Sequence, residues 1–244
     1  MLEESAAWTS PWHPPGSLHR NLGWLEYYVV GGVATVMRVA SASPDVGMIV
    51  RSVLVELRSE QVTEAYWTIG PASQPSGVDE ALLAVGANVD STIDICASPL
   101  ADGPPSAPDD RAVTVRPVQT RDDVAAFQRV NAAAWGYGPP SEDDVERAFE
   151  GLRRGYLLGC WQGEPVGVAG YTLAVEVARF WGAAVVPAAR GRGVYRAMVR
   201  ARMVDAAEQG ATLALVHARP TSSPILQRVG FTVHGQQRVL VFQP

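Results

Sequence analysis

The sequence predicts a mixed α/β domain in its C-terminal half, preceded by a smaller domain that is rich in strands. After residue 112, strand-like segments alternate with amphipathic helical segments, whereas β-branched and aromatic runs dominate before residue 100. A stretch rich in Pro, Asp and Ala, without a hydrophobic period, lies between these two regions. We therefore predict an acidic N-terminal domain at 1–100, a linker at 101–111 and a second domain at 112–244.

The second domain is predicted to form a mixed sheet with helices on both faces, because its order is strand, two helices, three strands, helix, strand, short helix and strand. Apolar residues recur at helical spacing from Asp122 to Trp135, and Ser141 with Asp144 forms an acidic variant of the capping box. Gly210 is a typical stop for the long helix that begins at Gly193. The predicted strands are 113–118, 156–162, 165–177, 179–186, 212–218 and 239–242, and the short helix is 224–229.

The first domain is predicted to contain two strands joined by the turn at Gly31-Gly32, further strands at 50–59 and 63–70, and a helix at 78–85. Segments 67–87 and 215–231 each place a strand, a Pro- and Ser-rich turn, a Leu-bearing helix and Val-Gly in the same order. We interpret this echo as a duplicated fold whose first copy is degenerate and has lost its ligand loop. Chance similarity of two strand–turn–helix units is the alternative.

Charge is distributed unevenly along the chain. Residues 1–110 contain 14 acidic residues and 4 arginines, whereas residues 111–244 contain 11 acidic residues and 16 arginines. The formal net charge of −5 argues against binding to nucleic acid, while the basic second half suits an anionic ligand. The chain has no lysine, which excludes a catalytic lysine and a lysine-bearing phosphate loop.

Neither the cysteines nor the apolar runs indicate a metal site or a membrane protein. Cys96 and Cys160 lack metal-type spacing, and we interpret them as buried thiols of a cytoplasmic protein. The acidic, Pro-rich N-terminus lacks the features of a signal peptide. Charges and glycines interrupt the apolar run from Trp24 to Ala40, so no membrane span is predicted.

The most informative stretch is 185–199, where a strand leads through Pro and two small residues into a helix opened by Arg190-Gly191-Arg192-Gly193. Glycines let main-chain N–H groups converge on a ligand, and at a helix N-terminus these amides favour an anion. The two arginines add forked donors for phosphate oxygens, so a pyrophosphate is the predicted ligand. Two other phosphate-binding motifs fit badly. A phosphate-loop NTPase would need Gly-Lys-Ser/Thr, and the chain has no lysine; a dinucleotide fingerprint would need a third glycine where Arg196 stands.

Through Arg190 and Gly193, this loop resembles the Arg/Gln-x-x-Gly-x-Gly/Ala signature of the GCN5-related N-acetyltransferase (GNAT) superfamily, although Tyr195 departs from its last position. The resemblance covers Val113–Phe242, including a later unit ending in Arg228-Val229-Gly230-Phe231 that is similar to the family's second motif. It implies a GNAT-type mixed sheet flanked by helices. It also implies transfer of an acetyl group from acetyl-CoA, as co-substrate and without a metal, directly to an amine in a ternary complex.

By this resemblance, main-chain groups of Ala183 and Val185 would pair with the pantetheine arm like an extra strand. The main-chain amides of the loop would hold the pyrophosphate, which assigns cofactor binding to Arg190, Gly191, Arg192, Gly193, Val194 and Tyr195. Ser222 and Ser223 either donate a hydrogen bond to the leaving sulfur or cap the short helix.

The usual proton-transfer residues of the family are replaced. Many members have a glutamate where Arg179 stands and a tyrosine where Leu226 stands. Two substitutes are available as catalytic residues: Glu176, acting through water, and His217, a residue type with a reference pKa of about 6.5. The alternatives are that Glu176 is a solvated turn carboxylate and that His217 is a packed strand residue.

The acceptor and the partners are predicted only as classes. Trp135, Tyr137, Phe180 and Trp181 either line an acceptor pocket or are core and loop-packing residues. We expect the acceptor to be a small-molecule or peptide amine. The N-terminal domain either shapes the acceptor site or forms the interface of a homodimer. Two other functions stay open: a non-catalytic acyl-CoA-binding sensor, suggested by the two replaced acid–base positions, and a structural protein.

Overall fold

The computed structural model describes residues 13, 17–41, 43, 45–70, 73, 75–101, 103 and 112–244. Apart from residues 101 and 103, the predicted linker lies outside the described residues, so the division at 101–111 stays a prediction. The described residues form two compact units. Unit 1 comprises Met1–Ile95 together with Gly235–Pro244, and unit 2 comprises Cys96–His234.

Unit 1 begins with an antiparallel meander and continues as alternating helices and strands. Its elements are β1 (Leu18–Asn21), β2 (Leu25–Val30), β3 (Val33–Val39), α1 (Val46–Ser59), β4 (Glu64–Ile69), α2 (Val78–Ala84), the start of β5 (Asn88–Pro99) and the end of β11 (Thr232–Phe242). β1, β2 and β3 are antiparallel neighbours, β4 is parallel to β3, and β11 is antiparallel to β4. Buried side chains of α1 and α2 pack with those of the strands in one apolar core.

The turn at Gly31-Gly32, strand β4 and helix α2 confirm three predictions for unit 1, but the strand predicted at 50–59 is wrong because these residues lie in α1. β-branched residues favour strands, and the valines of this segment led to that prediction. Burial decides otherwise, since the buried side chains have the spacing of one helix face: Ile49, Val50, Val53 and Leu57. The helix begins where the Asp45 side chain accepts a hydrogen bond of 2.9 Å from the amide of Met48.

Unit 2 has the predicted order of strands and helices. Its elements are the end of β5, β6 (Val113–Pro117), α3 (Arg121–Trp135), α4 (Glu142–Glu150), β7 (Tyr156–Trp161), β8 (Glu164–Ala174), β9 (Val177–Val185), a 3₁₀ turn (Pro187–Ala189), α5 (Val194–Glu208), β10 (Leu213–Ala218), α6 (Ser223–Gln227) and the start of β11. β6 to β9 are successive antiparallel neighbours, and β10 is parallel to β9. The turn between β8 and β9 comes earlier than predicted, at Val175, which has φ +55° and is 97% exposed.

Helices cover both faces of the unit 2 sheet. On one face, α5 and α6 pack on alternate residues of β9 and β10, which include Ala178, Phe180, Ala214 and Ala218. On the other face, α3 packs on β7 and β8 through residues that include Phe127, Val130, Leu158 and Val168. Side chains alternate along a strand, so consecutive residues of β9 face opposite sides of the sheet and contact different helices. The same holds for consecutive residues of β10.

Helix α4 begins with the predicted capping box, and α3 begins with the same geometry, which was not predicted. Ser141 and Asp144 form a reciprocal capping box, and so do Thr120 and Asp123. Asp123 is 8% exposed and forms an ion pair with Arg116. Burial alone would raise its pKa, but hydrogen bonds from Arg116 and from the Gln119 and Thr120 amides lower it from 3.8 to about 2.

We expect Asp123→Ala to lower the free energy of unfolding by about 1–2 kcal/mol at neutral pH, because the helix loses its cap and Arg116 its partner. A carboxylate with a depressed pKa stabilises the fold above pH 3.8, and this stabilisation is lost as the pH falls towards 2. The difference between the two proteins should therefore shrink over that interval in urea unfolding. Asp122→Ala, which removes an exposed carboxylate of the same helical turn, is the matched control. An equal loss in both variants would contradict the assignment.

Candidate functional site

The parallel strands β9 and β10 separate before either of them ends. Their pairing runs from Val177 opposite Leu213 to Phe180 opposite Val216. β9 continues to Val185 and β10 continues to Ala218. We call the opening between these continuations, 181–185 on β9 and 217–218 on β10, the slot.

A β-bulge in β9 bends this strand at the slot. Gly170 of β8 lies opposite Trp181, whereas Val168, two residues earlier, lies opposite Ala184, so β9 contains one extra residue. Within the bulge Gly182 has φ +60°, a conformation that glycine adopts without strain. The ring of Trp181 covers Gly170 so closely that a Cβ there would lie 2.3 Å from it. The absence of a side chain at Gly170 is therefore a requirement of the slot.

The main chain of Val185 faces the slot. Val186 donates its amide to Val166 of β8 at 2.9 Å. Because adjacent residues of a strand point their N–H and C=O groups to opposite sides, those of Val185 point away from β8. In agreement, the Val185 carbonyl accepts a hydrogen bond of 3.2 Å from Nε of Arg190. Ala183, two residues earlier on the strand, has the same orientation.

The predicted phosphate loop is an open turn at the N-terminus of α5. Gly191 and Gly193 both have φ +79°, and Gly193 is the N-cap. The first main-chain bond of the helix runs from the Ala197 amide to the Gly193 carbonyl, at 3.0 Å, so the amides before Ala197 have no acceptor within the helix. A Cβ at Gly191 would meet no atom within 4 Å, and one at Gly193 would meet only the end of the Arg196 side chain. The turn thus leaves space for an anion beside amides that have no acceptor within the helix, although the Arg190 amide donates to the Pro187 carbonyl at 3.3 Å.

The loop arginines are exposed, and the structure holds two of them in different directions. Arg190 is hydrogen-bonded to the Val185 carbonyl at the slot. Arg192 stacks on the half-buried ring of Trp161, with its guanidinium carbon 3.6 Å from the ring centroid. Tyr195, which departs from the family signature, still places its amide in the first turn of α5.

His217 lies at the slot on the face that α3 covers. It directly follows Val216, the last β10 residue paired with β9, and it is half-buried. Arg179 and Trp181 have the same parity on β9 and face the same side. Burial lowers the pKa of Arg179. The Trp181 ring contacts Tyr156 edge-on, with centroids 4.9 Å apart, so this face of the slot combines aromatic and nitrogen-bearing side chains.

Ser222 and Tyr195 lie on the opposite face, with α5 and α6. Ser222 is the N-cap of α6 but makes no side-chain capping bond; its Oγ donates to the Arg219 carbonyl at 3.1 Å. Burial raises the pKa of Tyr195, whose ring packs against the α5 core. Ser223 is instead 2% exposed, beside Cys96 Sγ at 3.9 Å. Of the two predicted serines, only Ser222 has a hydroxyl that is accessible in part.

The structure does not bring Glu176 to the slot. Glu176 is exposed at the β8–β9 turn, five residues before Trp181, which corresponds to roughly 16 Å along a strand. Its carbonyl accepts the amide of Thr212 at 2.8 Å. This arrangement is that of the solvated turn carboxylate, the alternative given above.

The four predicted acceptor-site aromatics are also separated. Phe180 is 4% exposed in the α5 core, on the face opposite Trp181. Trp135 and Tyr137 are 50% and 64% exposed at the end of α3.

Sequence reasoning also missed Arg202, which is 1% exposed. Its signal was a charged residue among the apolar positions of a helix face, between Val199 and Ala206.

The described residues contain no group of three or more His, Cys, Asp or Glu side chains that could hold a metal ion. Among the helices in the described ranges, none combines the length and the apolar character that crossing a membrane requires.

Comparison with known proteins gives a family match and several matches of fold. A model of the acetyltransferase (GNAT) family matches residues 124–231, and no curated protein matches the chain. A GCN5-related N-acetyltransferase from Kribbella flavida is 19% identical, with a TM-score of 0.64, over 93% of this chain and 89% of its own. A second one, from Sphaerobacter thermophilus, is 16% identical, with a TM-score of 0.67, over 90% and 76%.

A tandem GNAT protein from the clavulanic acid biosynthesis pathway is 16% identical, with a TM-score of 0.67, over 99% of this chain and 87% of its own. At these identities the structural matches show the fold, which confirms a GNAT-type mixed sheet flanked by helices and preceded by a smaller, strand-rich, GNAT-like domain. The family match covers the slot, the glycine turn and the α5 helix. The segment 124–231 of this chain therefore belongs to the acetyltransferase (GNAT) family.

Proposed function

We propose that this protein transfers the acetyl group of acetyl-CoA to an amine by direct transfer in a ternary complex. The observation that carries the proposal is the combination of two strands that part and an open glycine turn at the same end of β9. A slot edged by main-chain groups that point away from β8 suits the amides of a pantetheine arm, and the turn suits a pyrophosphate. The family's chemistry is acyl transfer, in agreement with this combination.

The residues that would hold the co-substrate fall into two groups. Ala183 and Val185 offer main-chain groups along the slot, and the second lone pair of the Val185 carbonyl remains available beside Arg190. At the turn, anion-binding amides and guanidinium groups come together: Arg190, Gly191, Arg192, Gly193, Val194 and Tyr195. The excess of arginine after residue 110 attracts an anionic ligand to this half of the chain.

The chemical step needs an amine held against the thioester carbonyl and a group that removes its proton. His217 is the proposed base, because it lies at the slot on the α3 face, where an acceptor can approach beside Trp181. Glu176 remains a weaker candidate, since it would need a chain of waters over roughly 16 Å. The substrate class proposed here is a small-molecule or peptide amine.

Unit 1 repeats the strand arrangement of the slot without the loop. β3 and β4 pair from Val33 opposite Glu64 to Val36 opposite Trp67, and β3 has an extra residue directly after Val36. The helix that follows, however, is capped by its own carboxylate, since Asp45 accepts from the Met48 amide at 2.9 Å. A negative charge at this position opposes phosphate binding. We therefore propose one coenzyme site per chain, in unit 2.

We expect Gly193→Asp to weaken coenzyme A binding at least tenfold, because a carboxylate in the turn blocks the space and opposes the phosphate charge. Isothermal titration should give one site per chain for the unchanged protein. Gly210→Asp is the matched control: Gly210 lies just beyond the other end of α5, has φ +88° and has equally open surroundings. Unchanged affinity in Gly193→Asp, or an equal loss in both variants, would show that the loop assignment is wrong.

A non-catalytic acyl-CoA sensor is the second candidate, because Arg179 and the fully buried Leu226 stand where the family usually has its base and its acid. Release of free thiol from acetyl-CoA with a panel of primary amines separates the two functions. Turnover with any amine eliminates the sensor. Tight binding of acetyl-CoA with no thiol release across the panel supports it. Absence of binding would instead support a structural protein.

For any amine that is acetylated, we expect His217→Gln to reduce kcat by about 10²–10⁴-fold, because the general base is removed. The affinity for coenzyme A should stay unchanged, since His217 faces the acceptor side. His234→Gln, at an exposed histidine hydrogen-bonded to Thr232, serves as the control. If Glu176→Gln abolishes turnover while His217→Gln retains it, the base is Glu176.

A further inference from the structure

Arg179 places a positive charge at the inner end of the slot. It lies on β9, two residues before Trp181, and it is half-buried, with its Nε atom shielded from solvent. Burying a guanidinium costs free energy, so a sequence keeps one in such surroundings only where something compensates the cost. Charged side chains that are partly buried in a cleft are candidates for a functional role.

The strand register places Arg179 close to His217. Arg179 lies opposite Leu215 of β10, and His217 follows two residues further along that strand. Side chains two residues apart on a strand share a face, so Arg179, Trp181 and His217 all face the side of the sheet that α3 covers. With strands about 4.8 Å apart and a rise of about 3.3 Å per residue, the Cα atoms of Arg179 and His217 are roughly 8 Å apart. The two side chains therefore border the same part of this face.

The reacting end of a bound coenzyme would lie in this region. The pairing of the two strands ends at Phe180 and Val216, so a pantetheine arm that enters the slot from the glycine turn can extend only to that point. Its thioester would lie near Trp181 and His217, and Arg179 is further from the turn. An amine that attacks the thioester from the α3 face would consequently have Arg179 beside it.

The described strand positions around this end of the slot carry no carboxylate on the α3 face. They are Arg179 and Trp181 of β9, Leu215 and His217 of β10, and Gly170 and Thr172 of β8. A guanidinium among such neighbours repels an ammonium ion and attracts an anion. The repulsion also favours the neutral form of a nearby amine, which is the form that attacks a thioester.

We propose that the acceptor is an amine that carries a carboxylate, and that Arg179 binds this carboxylate. The inference rests on the proposed function, since it names the acceptor class of that acetyl transfer. A guanidinium matches one carboxylate in charge and in geometry, because two parallel N–H groups of its fork face the two oxygens. It has five N–H donors, so contacts of Arg179 within the chain leave donors for a ligand.

The short separation between Arg179 and His217 limits the length of the acceptor. Its amine has to reach His217 while its carboxylate is held by Arg179, so only a few bonds can separate the two groups, as in an α- or β-amino acid. The ring of Trp181, which covers Gly170, bounds this space on the side of β8. Amines with several ammonium groups, such as polyamines, are disfavoured by the same guanidinium.

The carboxylate takes no part in the bond changes of the transfer. The amine nitrogen bonds to the acetyl carbon, and the carbon–sulfur bond breaks with its electron pair going to sulfur. His217 takes the proton that the amine loses and passes it to solvent, and the thiolate takes a proton from solvent. The product is the N-acetyl derivative of the amino acid. Arg179 is thus a specificity-determining residue, distinct from the base.

Acceptor pairs that differ only in the carboxylate test the proposal with the unchanged full chain. Thiol release from acetyl-CoA is measured with the common amino acids and β-alanine, with the carboxamide of each, and with spermidine. We expect kcat/KM to be about tenfold or more higher for the best acid than for its amide, because a charged hydrogen bond is lost in the amide. The amide is the sharper comparison because its amine is less protonated at neutral pH. Spermidine should be the poorest acceptor.

Arg179→Gln should remove the preference for the acid. For the best acid we expect KM to rise about tenfold or more, and the ratio of acid to amide to fall to about one. The affinity for coenzyme A, measured by isothermal titration, should stay unchanged and also reports folding. Arg179→Lys keeps the charge without the fork, so it should retain part of the preference and serves if the glutamine variant does not fold.

Arg228→Gln is the matched control. Arg228 is an exposed arginine at the end of α6, which packs on the opposite face of the sheet, so its loss changes the net charge equally and should keep the preference. Amides as good as acids, or turnover only with amines that lack a carboxylate, would overturn the inference and leave the proposed function intact. So would a preference that survives in Arg179→Gln or is lost equally in Arg228→Gln. Absence of thiol release with every amine would overturn both proposals.

Discussion

The early end of the hydrogen-bond ladder between β9 and β10 is the constraint on which the candidate site depends. Main-chain N–H and C=O groups need partners, so an open strand edge has to be satisfied by water, by a side chain or by a ligand. Packing keeps this edge open: β9 carries an extra residue at Gly182, and the Trp181 ring occupies the place of a side chain at Gly170. Arg190 satisfies one carbonyl from outside the strand. The bulge and the Trp181 ring thus account for the opening between the two strands.

The same bulge links the slot to the helix that carries the loop. The carbonyl of Gly170, the β8 residue opposite Trp181 at the bulge, accepts a hydrogen bond from Arg202. The helix that begins at the glycine turn is thus attached, through one buried side chain, to β8, the neighbour of the bulged strand. The proposed acetyl transfer requires precise placement of the reacting groups, and such a buried connection would hold the glycine turn and the slot in a fixed relation.

Local patterns allowed most of unit 2 to be predicted, whereas effects that depend on tertiary contacts did not show in the sequence. The loop could be identified because two glycines, two arginines and a helix start follow one another in the chain. Alternation along a strand also implies that His217 and Val216 face opposite sides. In contrast, the strand prediction for 50–59 was wrong because its valines favour a strand locally. The helix is stabilised by burial of one face in the core of unit 1, which involves residues distant in the sequence. The place of Arg202 and the pairing of β11 with β4 depend on residues distant in the sequence.

A comparison of unit 1 with unit 2 distinguishes features common to both units from those found only at the candidate site. It keeps a four-residue parallel ladder and an extra residue in the strand before the helix, as unit 2 does. Asp45 fills its helix terminus with an internal carboxylate, where unit 2 has a glycine turn between arginines. Parting strands are therefore a consequence of how this sheet is built and do not by themselves indicate a ligand. The evidence for a coenzyme site in unit 2 is the conjunction of the strands with an N-terminus that has no anion of its own.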